Sequence, residues 1–217
     1  MVSPTDFDSA LTRSEARVVS GLTTPFRIQT FLDSIEYSDE ERYRSPLTVL
    51  RDRTGHCFDG ALFAAAMLRR IGFPALITDI IPNDNDDDHI LALYNVRGHW
   101  GAVAKSNYTG LRFREPVYRT QRELILSYFE DFFNAVGEKT MRAYTRPLNL
   151  AAFDRLGWMT NDDVLDAIGV RLDEIQKFKP LTRTMIRNLS FADERSVKAG
   201  LLGAKASGLF KAQKPAR

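Results

Sequence analysis

Arg53-Thr54-Gly55-His56-Cys57-Phe58-Asp59-Gly60-Ala61 contains the only cysteine of the 217 residues, where turn residues give way to an apolar-striped run. From Phe58 to Arg70, the positions Phe58, Ala61, Leu62, Ala65 and Leu68 recur at helical spacing, and Ile71-Gly72-Phe73-Pro74 closes the run. The pattern predicts a loop that delivers a thiol to the first turn of a helix. Free backbone N–H groups and the positive end of the helix dipole gather there. Such a place favours thiolate over thiol, and thiolate is the nucleophile. The alanine-rich composition lets this helix pack closely on several sides, so it is expected to be central.

Upstream, Thr24-Pro25 starts a helix through Phe26, Ile28, Phe31, Leu32 and Ile35, and Ser45-Pro46 opens a short one, Leu47 to Arg51. A short helix is expected from Ser9 to Val19. Downstream, Pro74 to Ile81, His89 to Tyr94 and Trp100 to Ser106 are rich in β-branched and apolar residues and read as strands. The glycine-bearing link Asn95 to His99 suits a hairpin turn. A further strand is expected at Leu111 to Arg114. Thr120 to Val136 reads as one helix, on the stripe Leu124, Ile125, Tyr128, Phe129, Phe132, Phe133 and Val136. Helical segments follow at Asp162 to Ile168 and Leu172 to Phe178. The fold class is therefore α+β: a cysteine at the N-terminus of a central helix, packed on an antiparallel sheet, with additional C-terminal helices.

Catalysis by a thiol needs an imidazole to take and return a proton, and a third group to orient that imidazole. Of the three histidines, His56 adjoins Cys57 and splays away at a helix start, and His99 lies in the hairpin turn. His89 opens a strand after an acidic loop, where a sheet can hold it against a helix N-terminus, and is the expected base. With the turn near Arg97-Gly98, His89 falls opposite Ser106. This makes Asn107, with Ser106 as the alternative, the candidate third member. Trp100, Arg112 and Arg114 are candidate substrate-binding residues, the arginines for a carboxylate-bearing substrate.

These residues resemble the transglutaminase-like superfamily of papain-type cysteine enzymes. The likeness runs from about Ser45 to Ser106. It rests on Gly-His-Cys-Phe-Asp-Gly-Ala-Leu-Phe, on Leu-Arg-Arg-Ile-Gly-Phe-Pro-Ala, and on a strand-opening His89 followed eleven residues later by Trp100. It implies a papain/transglutaminase-like core with Cys57 as nucleophile and His89 as base. The family's aspartate after the tryptophan strand is absent, and Leu76 stands where the family has arginine. The expected function is that of a cysteine hydrolase or acyltransferase acting on an amide or peptide bond. The alternative is an inactive module of the same fold that binds a peptide or protein partner.

Composition sets the outer limits. A net charge of +2 makes no case for nucleic acid or membrane as partner of the main body. One cysteine cannot form an internal disulfide, the first residues lack a signal-peptide pattern, and no apolar run reaches the roughly 18 residues of a membrane span. A cytoplasmic protein acting on a peptide, protein or small amide is expected, with no cofactor. Asp84, Asp86 and Asp88 alternate like a calcium loop, but His89 and Asn95 stand where that loop needs glycine and an acid. No spacing suits zinc, so no metal site is expected. Residues 1–150 are expected to form the core and 151–194 a helical extension. Residues 195–217, with six basic residues and no acid, are expected to form a mobile tail.

Overall fold

The computed structural model describes residues 4–211, with side chains from Phe7 onward. Of the helix expected from Ser9 to Val19, the later part is found as α2 (Arg13–Ser20), and a separate short helix, α1 (Pro4–Ser9), precedes it. They are separated by Thr12, whose side chain and backbone form a reciprocal capping box with Glu15. Next come α3 (Pro25–Asp33), β1 (Glu36–Tyr37), α4 (Pro46–Asp52) and β2 (Thr54–Gly55). Thr24 and Ser45 cap α3 and α4 through their hydroxyls, each with proline in the first turn. Arg53, in the left-handed region at φ 55°, ends α4 and turns the chain toward the central helix α5 (Cys57–Arg70).

The sheet is built from β3 (Leu76–Ile81), β4 (His89–Val96), β5 (His99–Val103) and β6 (Arg114–Tyr118). It continues, after helix α6 (Gln121–Leu126), with β7 (Ala143–Thr145) and β8 (Leu148–Asn149). Helix α7 (Asp166–Glu174), strand β9 (Lys177–Phe178) and helices α8 (Arg183–Arg187) and α9 (Glu194–Gly200) complete the chain. The strand order is β6-β5-β4-β3-β7-β9, with β8 also pairing to β3, and every pairing is antiparallel.

Strand alternation separates two apolar layers. Ile77, Ile90, Ala92, Tyr94 and Val103 face α5, while Ile80, Leu91, Leu93 and Ala102 face Leu124, Ile125, Tyr128 and Phe132. Every residue of α5 from Phe58 to Leu68 is buried, as its alanine-rich composition requires. Trp158, Leu165, Ile168 and Leu172 join the α5 layer, so residues 151–175 share the core of the preceding chain.

Three expectations are corrected. The helix expected over Thr120 to Val136 stops at Leu126 and gives way to a 3-10 turn, Phe129–Asp131. Most of its apolar residues are still buried, though Val136 is exposed, and Tyr128 donates to the Arg112 carbonyl. Asn134, fully buried, accepts from the backbone N–H groups of Val136 and Glu138 and bends the chain. The strand expected at Leu111 to Arg114 runs instead from Arg114 to Tyr118. Part of the tail expected to be mobile folds back: α9 covers residues 194–200, and a 3-10 turn at Ala206–Gly208 returns to the body. Its last residues, 212–217, lie outside the described residues.

Candidate active site

Cys57 is the first residue of α5, and the local sequence holds that turn from several sides. His56 caps the helix, its Nδ1 accepting from the Phe58 N–H. Asp59, completely buried, accepts from the backbone N–H groups of His56 and Arg44. The Arg44 side chain is also buried and reaches Asp59, Ser38 and Glu40. Sequence reasoning missed Arg44 and Asp59. The available signal was Asp59 three residues after the cap, the acid position of a capping box.

The thiol is half-buried and donates to the Asp88 carbonyl at 3.5 Å. Burial pushes it up to about 12; the Ile90 N–H opposes the shift, and Asp79, Asp59 and Asp88 add to it. The resting sulfur is therefore a neutral thiol. The low thiol pKa expected from the helix dipole is not found, because burial and surrounding carboxylates outweigh the dipole.

His89 opens β4 and is buried, with Nε2 2.6 Å from the Leu111 carbonyl oxygen. A carbonyl can only accept, so Nε2 carries the proton and Nδ1 of the neutral ring keeps its lone pair. Burial lowers its pKa to about 4; the hydrogen bond to Leu111 works against that shift, and the charge of Arg114 adds to it. Cys57 and His89 line one small cavity of about 40 Å³, without a direct hydrogen bond among the described residues.

The candidate third members, Ser106 and Asn107, line the same small cavity as Cys57 and His89, but neither is bonded to His89 among the described residues. The hairpin has the expected register, with Val96 opposite His99 and Ala92 opposite Val103, but the ladder stops there. Gln29 of α3 takes both the N–H and the carbonyl of Ala104. Lys105 then drives its ammonium onto the Leu32 and Ile35 carbonyls, peeling the chain from the sheet before it reaches His89. Ser106 accepts from the Tyr108 N–H. Asn107 donates to the Lys205 and Gly208 carbonyls and accepts from the Lys205 N–H, holding the C-terminal segment. Neither orients His89; the Leu111 backbone does.

Nor do the candidate substrate-binding residues meet the thiol. Trp100 pairs with Asn95 at the hairpin end of β4, six residues or roughly 20 Å along the strand from His89. The Arg114 guanidinium lies over the Tyr128 ring at 3.9 Å and bonds the Gly110 and Ser127 carbonyls. Arg112 pairs with Asp33 at 3.2 Å. All three are structural in their contacts.

On its open side Cys57 faces a cavity of about 720 Å³, whose lining includes Tyr37, Asp79, Asp86, Asp87 and Asp88. Tyr37 borders both of the cavities that Cys57 lines, and burial raises its phenol so that it stays a donor, with Cys57 among the groups acting on it. Gly208 of the C-terminal segment also lines both, seated where a Cβ would meet the Tyr37 ring at 2.9 Å. Among the described residues no three His, Cys, Asp or Glu side chains are placed to hold a metal ion, and no helix is long and apolar enough to cross a membrane.

Residues 17–108, from α2 through Asn107 to Tyr108, match the model of the transglutaminase-like superfamily. Solved structures similar to the chain include LapG of Legionella pneumophila, at 13% identity and a TM-score of 0.36, covering 47% of this chain and 70% of that one. The EGTA-treated form of LapG gives 14% and 0.36 over 48% and 67%. The calcium-bound form gives 14% and 0.35 over 47% and 68%. No curated protein sequence matches significantly.

Proposed function

We propose that the transglutaminase-like core matched by residues 17–108 works as a cysteine hydrolase or acyltransferase on an amide or peptide bond. Cys57 is its nucleophile and His89 its base. The observation that carries this reading is the shared cavity of Cys57 and His89, with His89 held through Nε2 so that Nδ1 is the free basic nitrogen. The thiol leaves the Asp88 carbonyl and rotates toward Nδ1, which takes its proton as sulfur attacks the substrate carbonyl carbon. The C=O pair moves onto oxygen, where the Cys57 N–H and the Tyr37 hydroxyl are the donors at hand. Collapse breaks the C–N bond and His89 returns the proton to the leaving amine. Water or an acceptor amine then attacks the thioester and gives its proton to His89; the C–S bond breaks, and the sulfur takes that proton back from His89 as it leaves.

A second reading has its own support. In the resting structure the thiol is bonded to a backbone carbonyl, and Gly208 and Phe210 of the C-terminal segment line the His89 side of the cleft. Both suit a module that binds peptides without cleaving them. The two readings separate on reaction of Cys57 with a peptidyl acyloxymethyl ketone. An enzyme loses about 100-fold or more in rate in His89→Ala, the range for a general base. Equal rates in the two proteins would leave only the binding module.

A further inference from the structure

The larger cavity beside Cys57 is walled by acid. Nine Asp and Glu residues line it, and no lysine or arginine does. Some are neutralised from outside: Glu40 by Arg42 and Arg44, Asp39 by Lys205, and Asp173 by Lys177 at 4.0 Å. Asp79, Asp87, Asp88 and Asp166 have no ion pair among the described residues.

Asp79 is the unusual member. It sits in β3 opposite Ile90, is 4% exposed, and its Oδ1 is buried with no hydrogen-bond partner among the described residues. An unpaired buried carboxylate is unfavourable, because no donor replaces the water it has lost. Ladder strands seldom carry such a group without a use for it. Its neighbours are no remedy, since Asp88 and Asp173 add negative charge and Lys177, whose charge acts against them, is paired with Asp173.

We propose that this carboxylate-walled cavity is a subsite for the cationic side chain of a lysine or arginine flanking the scissile bond, with Asp79 as its anchor. It rests on the reading of Cys57 as nucleophile only for the word scissile; the cation site stands on its own geometry. The volume of about 720 Å³ accommodates a long basic side chain together with some of its main chain. A guanidinium or ammonium supplies the donors that Asp79 lacks, and the aliphatic stem of the same side chain can lie along Phe58, Ile90 and Leu172. The chain's own C-terminal segment already shows the complementarity, its Lys205 ammonium meeting Asp39 at the rim at 2.7 Å.

The test is calorimetric binding of three capped peptides, Ala-Arg-Ala, Ala-Lys-Ala and Ala-Gln-Ala, to the full chain at low and high salt. The arginine or lysine peptide is expected to bind about tenfold or more tightly than the glutamine peptide. That preference should shrink with salt and fall most of the way in Asp79→Asn, with recovery in Asp79→Glu. Asp166→Asn, on the exposed rim, reads the same wall without touching the core and should give a smaller loss. Equal binding of the three peptides by the wild type overturns the subsite, and a preference untouched by both asparagine variants overturns the assignment to this wall. Cys57→Ser is titrated in parallel. Preference retained there, with no His89-dependent reaction of Cys57 in the wild type, removes the nucleophile and leaves the subsite standing.

Discussion

At His89 the stability of the fold depends on a single proton. Burial holds the folded ring at about 4, against an ordinary value of about 6.5 for the unfolded chain. Between those values the unfolded state binds the proton and the folded state does not. The stabilisation is therefore intact above about 6.5 and drains away as pH falls toward about 4. Relative to His89→Gln, the wild type should lose about 3 kcal/mol over that window, measured by urea unfolding at several pH values. Asp79 runs the other way. Its pKa is raised by burial, so its charge costs stability above the ordinary carboxylate range and costs nothing below it. Asp79→Asn should melt higher than the wild type at pH 8, with the gain vanishing toward pH 4. A gain equal at both pH values would mean that folding leaves the Asp79 pKa unshifted.

Among the elements, α5 depends on two close fits. A Cβ on Gly60 would stand 2.2 Å from the Lys105 Cβ, so the glycine is what lets the departing strand cross the helix. Gly60→Ala should cost about 1–3 kcal/mol, the usual range for overpacking, read from the denaturation midpoint. It should also disturb the Lys105 ammonium, which burial lowers to about 8 while it bonds the α3 carbonyls. The C-terminal segment is the second fit. Three hydrogen bonds from Asn107 hold residues 205–208 against Tyr37. Asn107→Ala, or Gly208→Val with its clash on the Tyr37 ring, should release the segment and speed iodoacetamide alkylation of Cys57 several-fold. An unchanged rate in both would show that the segment does not screen the thiol.

Over the whole molecule, charge is segregated. Residues 195–217 carry six of the cations, while the cavity beside Cys57 is lined by carboxylates. The chain's modest net charge of +2 conceals both. The buried Arg44–Asp59 pair ties the loop before α4 to the first turn of α5, at 0–1% side-chain exposure. Arg44→Ala would strand Asp59 in the interior and should cost about 3–5 kcal/mol, seen as a lower midpoint in chemical denaturation. A loss near zero would mean that Asp59 is satisfied by the backbone N–H groups of Arg44 and His56 alone.

Local signals in the sequence were enough for the elements that carry Cys57 and His89. The caps at Thr24 and Ser45, the start of α5 at Cys57 and the hairpin register through Val96 and His99 all depend on residues within a few positions of one another. Such short-range terms act in the unfolded chain as they do in the folded one. The site's finish was not legible, because it depends on partners far away in sequence. Gln29 captures Ala104 from 75 residues off, Asn107 turns its amide to the C-terminal segment rather than to His89, and the Leu111 backbone orients the ring. A backbone carbonyl leaves no side-chain mark at its position. The break after Leu126 was hidden for a similar reason: Leu124, Ile125, Tyr128, Phe132 and Phe133 are buried although the chain leaves the helix, and tertiary hydrogen bonds make that choice. The amino-acid order by itself determined which residues would be apolar or capped and where along the elements Cys57 and His89 would fall, since those are properties of side chains and near neighbours. Only the tertiary structure decided what surrounds the thiol, because burial and the field of distant carboxylates exist only once the chain has closed on itself.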